Sequence, residues 1–326
     1  MHESARNAPP FRTAVRLLTR TTPFLFFNLA VYGGFLLAFF GWIGIFGGLA
    51  AFFGPRIELL AVIFLVLAVM GPAIVLGFGR RYFLYMVKGA HIAVVTKLLV
   101  DDTLPDDKGQ VAYGREVLQT HFRDMNILFV LDRMVYRTVQ RFTRRFVRLV
   151  DWLPLGAGAG KLARWAAALI RRSITYVDEA ILSYAIARDE PNVWKSARQG
   201  LILFAQAYPP ILMTAVKVWI LGRVLFVALL LALGIPAVLV LLAFNAIWLQ
   251  IALLVAVVVT ASLLVRAVYE PFATTWVVLT YHYAIAGLEV DPEWDERLQS
   301  ISGEFKNLAG RARQFAGGGG GGGFVR

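Results

Sequence analysis

Polar residues nearly vanish from two long blocks of this chain, and the remaining segments alternate apolar and charged positions at helical spacing. A membrane-crossing helix needs about 20 apolar residues. The first block supplies two such runs, 23–52 and 59–78, parted by Phe53-Gly54-Pro55-Arg56, which reads as a turn. The second supplies 219–242 and 248–268, parted near Asn245. Gly71-Pro72 predicts a kink, because proline removes one helical hydrogen bond. Gly234-Ile235-Pro236 reads as an interruption of the third crossing; as a tight turn it would change the number of crossings. After each block the apolar pattern continues but gains charge. The first extension, 80–100, carries Arg80, Arg81, Lys88, His91 and Lys97, and the last helix runs past Glu270-Pro271 to Ala286. The pattern therefore predicts an all-α integral membrane protein: two transmembrane helical hairpins, about four spans, whose long helices extend into a basic helical module.

That module occupies the stretch between the blocks. From 112 to 172 there are twelve Lys and Arg against four acids, a net +8 of the chain's +12. Its clearest part is Arg133, Arg137, Arg141, Arg145 and Arg148, one helical turn apart and opposite Leu128, Val135, Phe142 and Leu149. Helices are expected over 111–152 and 161–188, joined through Pro154 and Gly156–Gly160, with Asp189-Glu190-Pro191-Asn192 as a breaker. The organisation that follows is 1–20, a basic N-terminal segment; 21–100, the first hairpin and its extension; 101–192, the basic module; 193–288, the second hairpin and its extension; and 289–326, a polar tail ending in a disordered glycine run. Within the first segment, 11–20 reads as an interfacial helix with Val15, Leu17 and Leu18 toward lipid, or alternatively as a transit peptide.

Composition and charge sharpen this reading. Hydrophobic residues make up 58% of the 326 positions, above what a soluble domain buries, and the mean hydropathy is +0.64. There is no cysteine, which excludes disulfides, thiolate metal sites and a cysteine nucleophile. The two short turns hold one arginine between them, whereas every other connection is rich in Lys and Arg. The positive-inside rule then puts both termini and the module in the cytoplasm, in a bacterial inner membrane. A basic face beside spanning helices suits anionic lipid, since each juxtamembrane Lys or Arg gains about 1 kcal/mol near such a surface. An acidic protein is the next candidate partner, and no recognition motif points to nucleic acid. The blocks also resemble each other. Arg12-Thr13-Ala14 and Leu18 precede Pro23 as Lys195-Ser196-Ala197 and Leu201 precede Pro209, and the extensions hold His91-Ile92-Ala93-Val94 and His282-Tyr283-Ala284-Ile285. A parallel repeat accounts for this, as do two convergent hairpins.

Candidate chemistry is sparse. The arginine stripe reads as a face for anionic headgroups or guided anions, or else as the solvated side of a helical bundle. Gly156-Ala157-Gly158-Ala159-Gly160-Lys161 lacks the first glycine and the Ser or Thr of a phosphate loop, so a plain turn is the better reading. Asp178 and Glu179 point about 100° apart on a helix and suit ion pairs with Arg171, Arg172 or another helix better than a shared metal. Arg266 and Glu270, four residues apart, form a structural ion pair near the end of the fourth crossing. His2, His91, His121 and His282 have no metal-ligand spacing. No metal, cofactor or catalytic set is expected, and no enzyme. Within the apolar runs, Asn28, Gln250, Thr260 and Ser262 are the main polar groups, which argues against a proton-driven carrier.

Ser173-Ile174-Thr175-Tyr176, Tyr184-Ala185-Ile186, Trp194-Lys195-Ser196-Ala197-Arg198 with Leu201-Ile202-Leu203, then Lys217, Leu221-Gly222-Arg223 and Trp248-Leu249, carry one resemblance. Over 161–289 the chain resembles the C-terminal membrane half of the choline transporter-like family. The resemblance implies a shared hairpin architecture and transport of choline-like amines; this chain has fewer crossings and lacks the family's large extracellular loop. It assigns no substrate-binding residue here. Two functions follow as expectations. One is a transport or permeation protein, homo-oligomeric because four spans are few for a path within one chain. The other is a non-catalytic scaffold that binds anionic lipid or a protein partner through the module.

Overall fold

The computed structural model describes residues 10–105, 108–121, 125–151, 174–242 and 247–317. Among them the chain is helical throughout, with no strand. In order the helices are α1 (Pro10–Arg20), α2 (Thr22–Phe53), α3 (Glu58–Asp101), α4 (Gln110–His121) and α5 (Met125–Asp151). A 3-10 turn (Ile174–Tyr176) leads into α6 (Val177–Ala187), followed by α7 (Val193–Gln206), α8 (Tyr208–Leu241), α9 (Ile247–Ala284), α10 (Pro292–Ile301) and α11 (Gly303–Gly317). The chain divides into two compact units. One holds the N-terminal segment through Thr21, then Gly89–Leu221 and everything from Phe272; the other holds Thr22–Lys88 and Gly222–Pro271.

Among the described residues, three helices are long and apolar enough to cross a membrane by length and composition: Thr22–Phe53, Tyr208–Leu241 and, within α9, Leu253–Ala284. The run expected to cross second starts with the short apolar stretch Glu58–Ala68, and the side chains from Pro72 to Phe83 lie outside the described ones. Gly234-Ile235-Pro236 is neither a turn nor a break, because α8 runs through it as one helix. The apolar sides of these helices face outward: Leu37, Phe40 and Ile45 on α2, and Val224, Leu231, Ile235 and Val238 on α8. So much contiguous apolar surface suits hydrocarbon rather than water.

Within that unit α2 and α3 meet through aromatic rings. Phe46 and Phe53 lie 6.4 and 5.6 Å from Phe64, and the Trp42 indole donates to the Leu67 carbonyl at 2.9 Å. Gly71 makes room for that indole, since a Cβ there would stand 2.5 Å from the ring. Between α2 and α9, Tyr32, Leu263 and Ala267 form a small core with Leu36, Leu84 and Val259.

The other unit is a helical bundle. Helix α1 turns Thr13, Ala14 and Leu17 inward, so Leu17 packs against protein rather than lipid, while Val15 is exposed. Its end is tied down three times. Arg20 pairs with Asp102, Gln110 donates to the Arg20 carbonyl at 2.8 Å, and Thr21 meets His91 at 3.3 Å. A string of polar groups crosses the apolar interior: His282 to Ser183 at 2.8 Å, Ser183 to Thr96 at 2.7 Å, and Thr96 to the Ile92 carbonyl at 2.7 Å. Helix α4 reaches α3 at Gly114, where a Cβ would lie 2.4 Å from the Ala90 carbonyl oxygen.

The segment read from its sequence as a polar tail folds into the bundle as α10 and α11. Leu298, Phe305, Leu308, Ala309 and Ala312 are buried. Arg198 grips Asp295 with two donors, Nε at 3.0 Å, and Asn192 caps α7 by accepting from Lys195 N while donating to the Ala312 carbonyl at 2.8 Å. The Gly156–Lys161 run, Arg171, Arg172, Asn245 and the glycines from 318 onward lie outside the described residues.

Candidate functional site

Helix α5 positions the arginine stripe. Its inward face is Leu131, Met134, Val135, Thr138, Val139 and Phe142, all buried at three- and four-residue spacing. The Phe142 ring anchors the helix among Phe204, Tyr208 and Trp294, with centroids 5.7, 5.5 and 6.1 Å away. That burial leaves Arg133, Arg137, Arg141, Arg144 and Arg145 on the exposed side. Arg148 lies on the same helix, with its side chain outside the described ones. The face is not uniformly open. Glu304, from the first turn of α11, pairs with Arg141 and lies 3.7 Å from Arg137. Its side chain is 14% exposed against 45% for each arginine. Among the described residues Arg133, Arg144 and Arg145 make no ion pair.

The second polar constellation joins α2 and α9. Pro271 has no N–H, so the Ala267 carbonyl one turn earlier lacks its helical donor. The Asn28 amide fills that vacancy, donating at 2.7 Å from a nearly buried position. One turn further along α2, the Tyr32 hydroxyl donates to Glu270 at 3.4 Å, and Glu270 lies 3.9 Å from Arg266. Asn28 and Tyr32 stand six and ten residues into an apolar helix, so these groups sit about 9 and 15 Å along it. The sequence suggests the Arg266–Glu270 contact through its spacing alone. It leaves Asn28 and Tyr32 unassigned, although the proline at 271 announces a carbonyl in need of a donor.

The remaining candidates are structural in their surroundings. Glu179 is buried and accepts from Thr274, while the Asp178 carboxylate accepts from the Glu179 N–H at 3.1 Å. His91 is buried, and desolvation of its charged form pushes the imidazole down to about 4. Since Thr21 donates its own hydroxyl proton to the Leu17 carbonyl at 3.0 Å, the 3.3 Å contact makes His91 Nε2 the donor to Thr21. Among the described residues no group of three His, Asp or Glu is placed to hold a metal.

No family model, no curated protein and no solved structure matches the chain.

Proposed function

We propose that this is a transport or permeation protein of a bacterial inner membrane, with both termini and the basic module in the cytoplasm and its path formed between copies in a homo-oligomer. One observation carries the reading: the Arg266–Glu270–Tyr32 cluster on apolar, membrane-length helices, with Glu270 33% and Arg266 43% exposed. The pair stands near the end of a crossing, and ionisable groups on otherwise apolar spanning helices need polar company and mark substrate or ion pathways. A pair that turns partly outward from its own chain finds that company in water or in a second copy. The order of elements supports a parallel repeat of two hairpins. Helices of 11, 32 and 44 residues (α1–α3) are echoed by helices of 14, 34 and 38 (α7–α9). Both sets break in the same way: the N–H groups of Thr21 and Ala207 each reach back to the carbonyls four and three residues earlier, just before Pro23 and Pro209. The resemblance to choline transporter-like proteins makes small organic amines the first substrates to test. In proteoliposomes, flux should exceed that of empty vesicles and fall about tenfold in Glu270→Gln, equivalent to about 1.4 kcal/mol in a barrier. Silence across amines, anions and lipids in the wild-type protein sinks the proposal.

The second reading, a non-catalytic scaffold, is favoured by the three exposed arginines of α5 that have no ion pair among the described residues. It expects binding to anionic lipid that weakens in Arg133→Gln/Arg145→Gln.

A further inference from the structure

We infer that Arg137 and Arg141 form a binding site for a phosphate-class anion, and that its present occupant is the chain's own Glu304 carboxylate. The inference rests on the anion-binding reading of α5. Two guanidinium groups one turn apart converge on a single carboxylate, and the carboxylate is the better shielded partner. Guanidinium groups bind carboxylate and phosphate oxygens alike, so the pair that faces Glu304 through one nitrogen each can also take a phosphodiester headgroup. Arg133, Arg144 and Arg145 continue the same side of the helix to either side of the pair, giving an incoming anion further positive charge that Glu304 does not use.

Glu304 is delivered by a helix with other anchors, although its carboxylate also accepts from the Ser302 hydroxyl at 3.4 Å. Helix α11 is capped by Ser302, whose hydroxyl accepts from the Phe305 N–H at 3.2 Å and lies 3.2 Å from the Thr138 hydroxyl. Phe305, Leu308, Ala309 and Ala312 hold it down by burial, and Asn192 ties its far end. Neutralising Glu304 thus removes the competing charge from the arginines while these buried side chains keep α11 docked. In the wild-type chain an anion must first displace the carboxylate, which makes α10 and α11 a competitive cover over the basic face.

The test uses the full chain in an uncharged detergent and measures affinity for dioctanoyl phosphatidylglycerol, with dioctanoyl phosphatidylcholine and sodium phosphate as the other arms. Glu304→Gln should bind phosphatidylglycerol about tenfold more tightly than wild type, and the gain should shrink as salt rises from about 0.1 to about 0.5 M. Adding Arg137→Gln and Arg141→Gln should abolish the gain. Competition by sodium phosphate assigns the site to free phosphate, whereas a gain confined to phosphatidylglycerol assigns it to a lipid headgroup. If Glu304→Gln changes thermal stability but not affinity, the contact is only a structural ion pair and the proposal fails. If affinity falls in Arg133→Gln/Arg145→Gln while Glu304→Gln does nothing, the occupied-site proposal fails and the lipid reading of α5 stands.

Discussion

Asn28 and Pro271 are coupled through one carbonyl oxygen, and the coupling has a measurable consequence. Asn28→Leu keeps the volume but leaves the Ala267 carbonyl without a donor in apolar surroundings, so it should destabilise the protein by about 2 kcal/mol. Asn28→Leu combined with Pro271→Ala, which restores the helical donor, should recover most of that loss in a thermal-shift assay in detergent. Asn192 carries two roles as cap and tether, and Asn192→Ala should cost about 2 kcal/mol, more than an ordinary exposed cap. His91 ties stability to pH. Its folded-state value of about 4 lies below the ordinary 6.5, so the unfolded chain takes up a proton first as pH falls. The stability is intact above pH 6.5 and erodes between 6.5 and 4, by roughly 3 kcal/mol in all. Thermal midpoints measured across that window should fall less steeply in His91→Gln than in wild type. The Asn192 cap is local, but its tether and the roles of Asn28 and His91 are not legible in the sequence, because each depends on a partner 70 or more positions away.

At the scale of elements the sequence is far more informative. The long apolar helices, the turn at Gly54-Pro55 and the buried and basic faces of α5 follow from local periodicity, which three-dimensional packing has no reason to overturn. Prolines are read less well. Gly234-Ile235-Pro236 looks like an interruption, yet α8 continues through it, since losing one hydrogen bond costs less than ending an apolar helix. The segment after Gly287 looks polar because its apolar positions are few, but Leu298, Phe305 and Leu308 fall at spacings that bury together. Close helix approach is also invisible until partners are known. Gly114→Ala should push α4 off the Ala90 carbonyl and lower the thermal midpoint by the equivalent of about 1–3 kcal/mol, whereas the same change at Gly109, which has open space around it, should be near neutral.

For the whole molecule, the sequence conveys class and charge layout but not the assignment of segments to units. Read along the chain, hairpins and modules follow one another; in space, the bundle draws on three separated stretches and the apolar unit on two. The interleaving bears on how the protein is made. Synthesis proceeds from the N-terminus, and the bundle's last stretch begins at Phe272. Until it emerges, His282 is missing from the polar string through Ser183 and Thr96, Phe11 lacks Phe272 and Trp276, and α5 lacks α11. Helices α1 and α4–α7 must therefore wait on the ribosome's progress through all of the apolar helices with their contacts to the last stretch unmade. That interval exposes the nascent chain to chaperones, proteases and mispairing, and a stall downstream of α8 leaves a bundle without its last stretch.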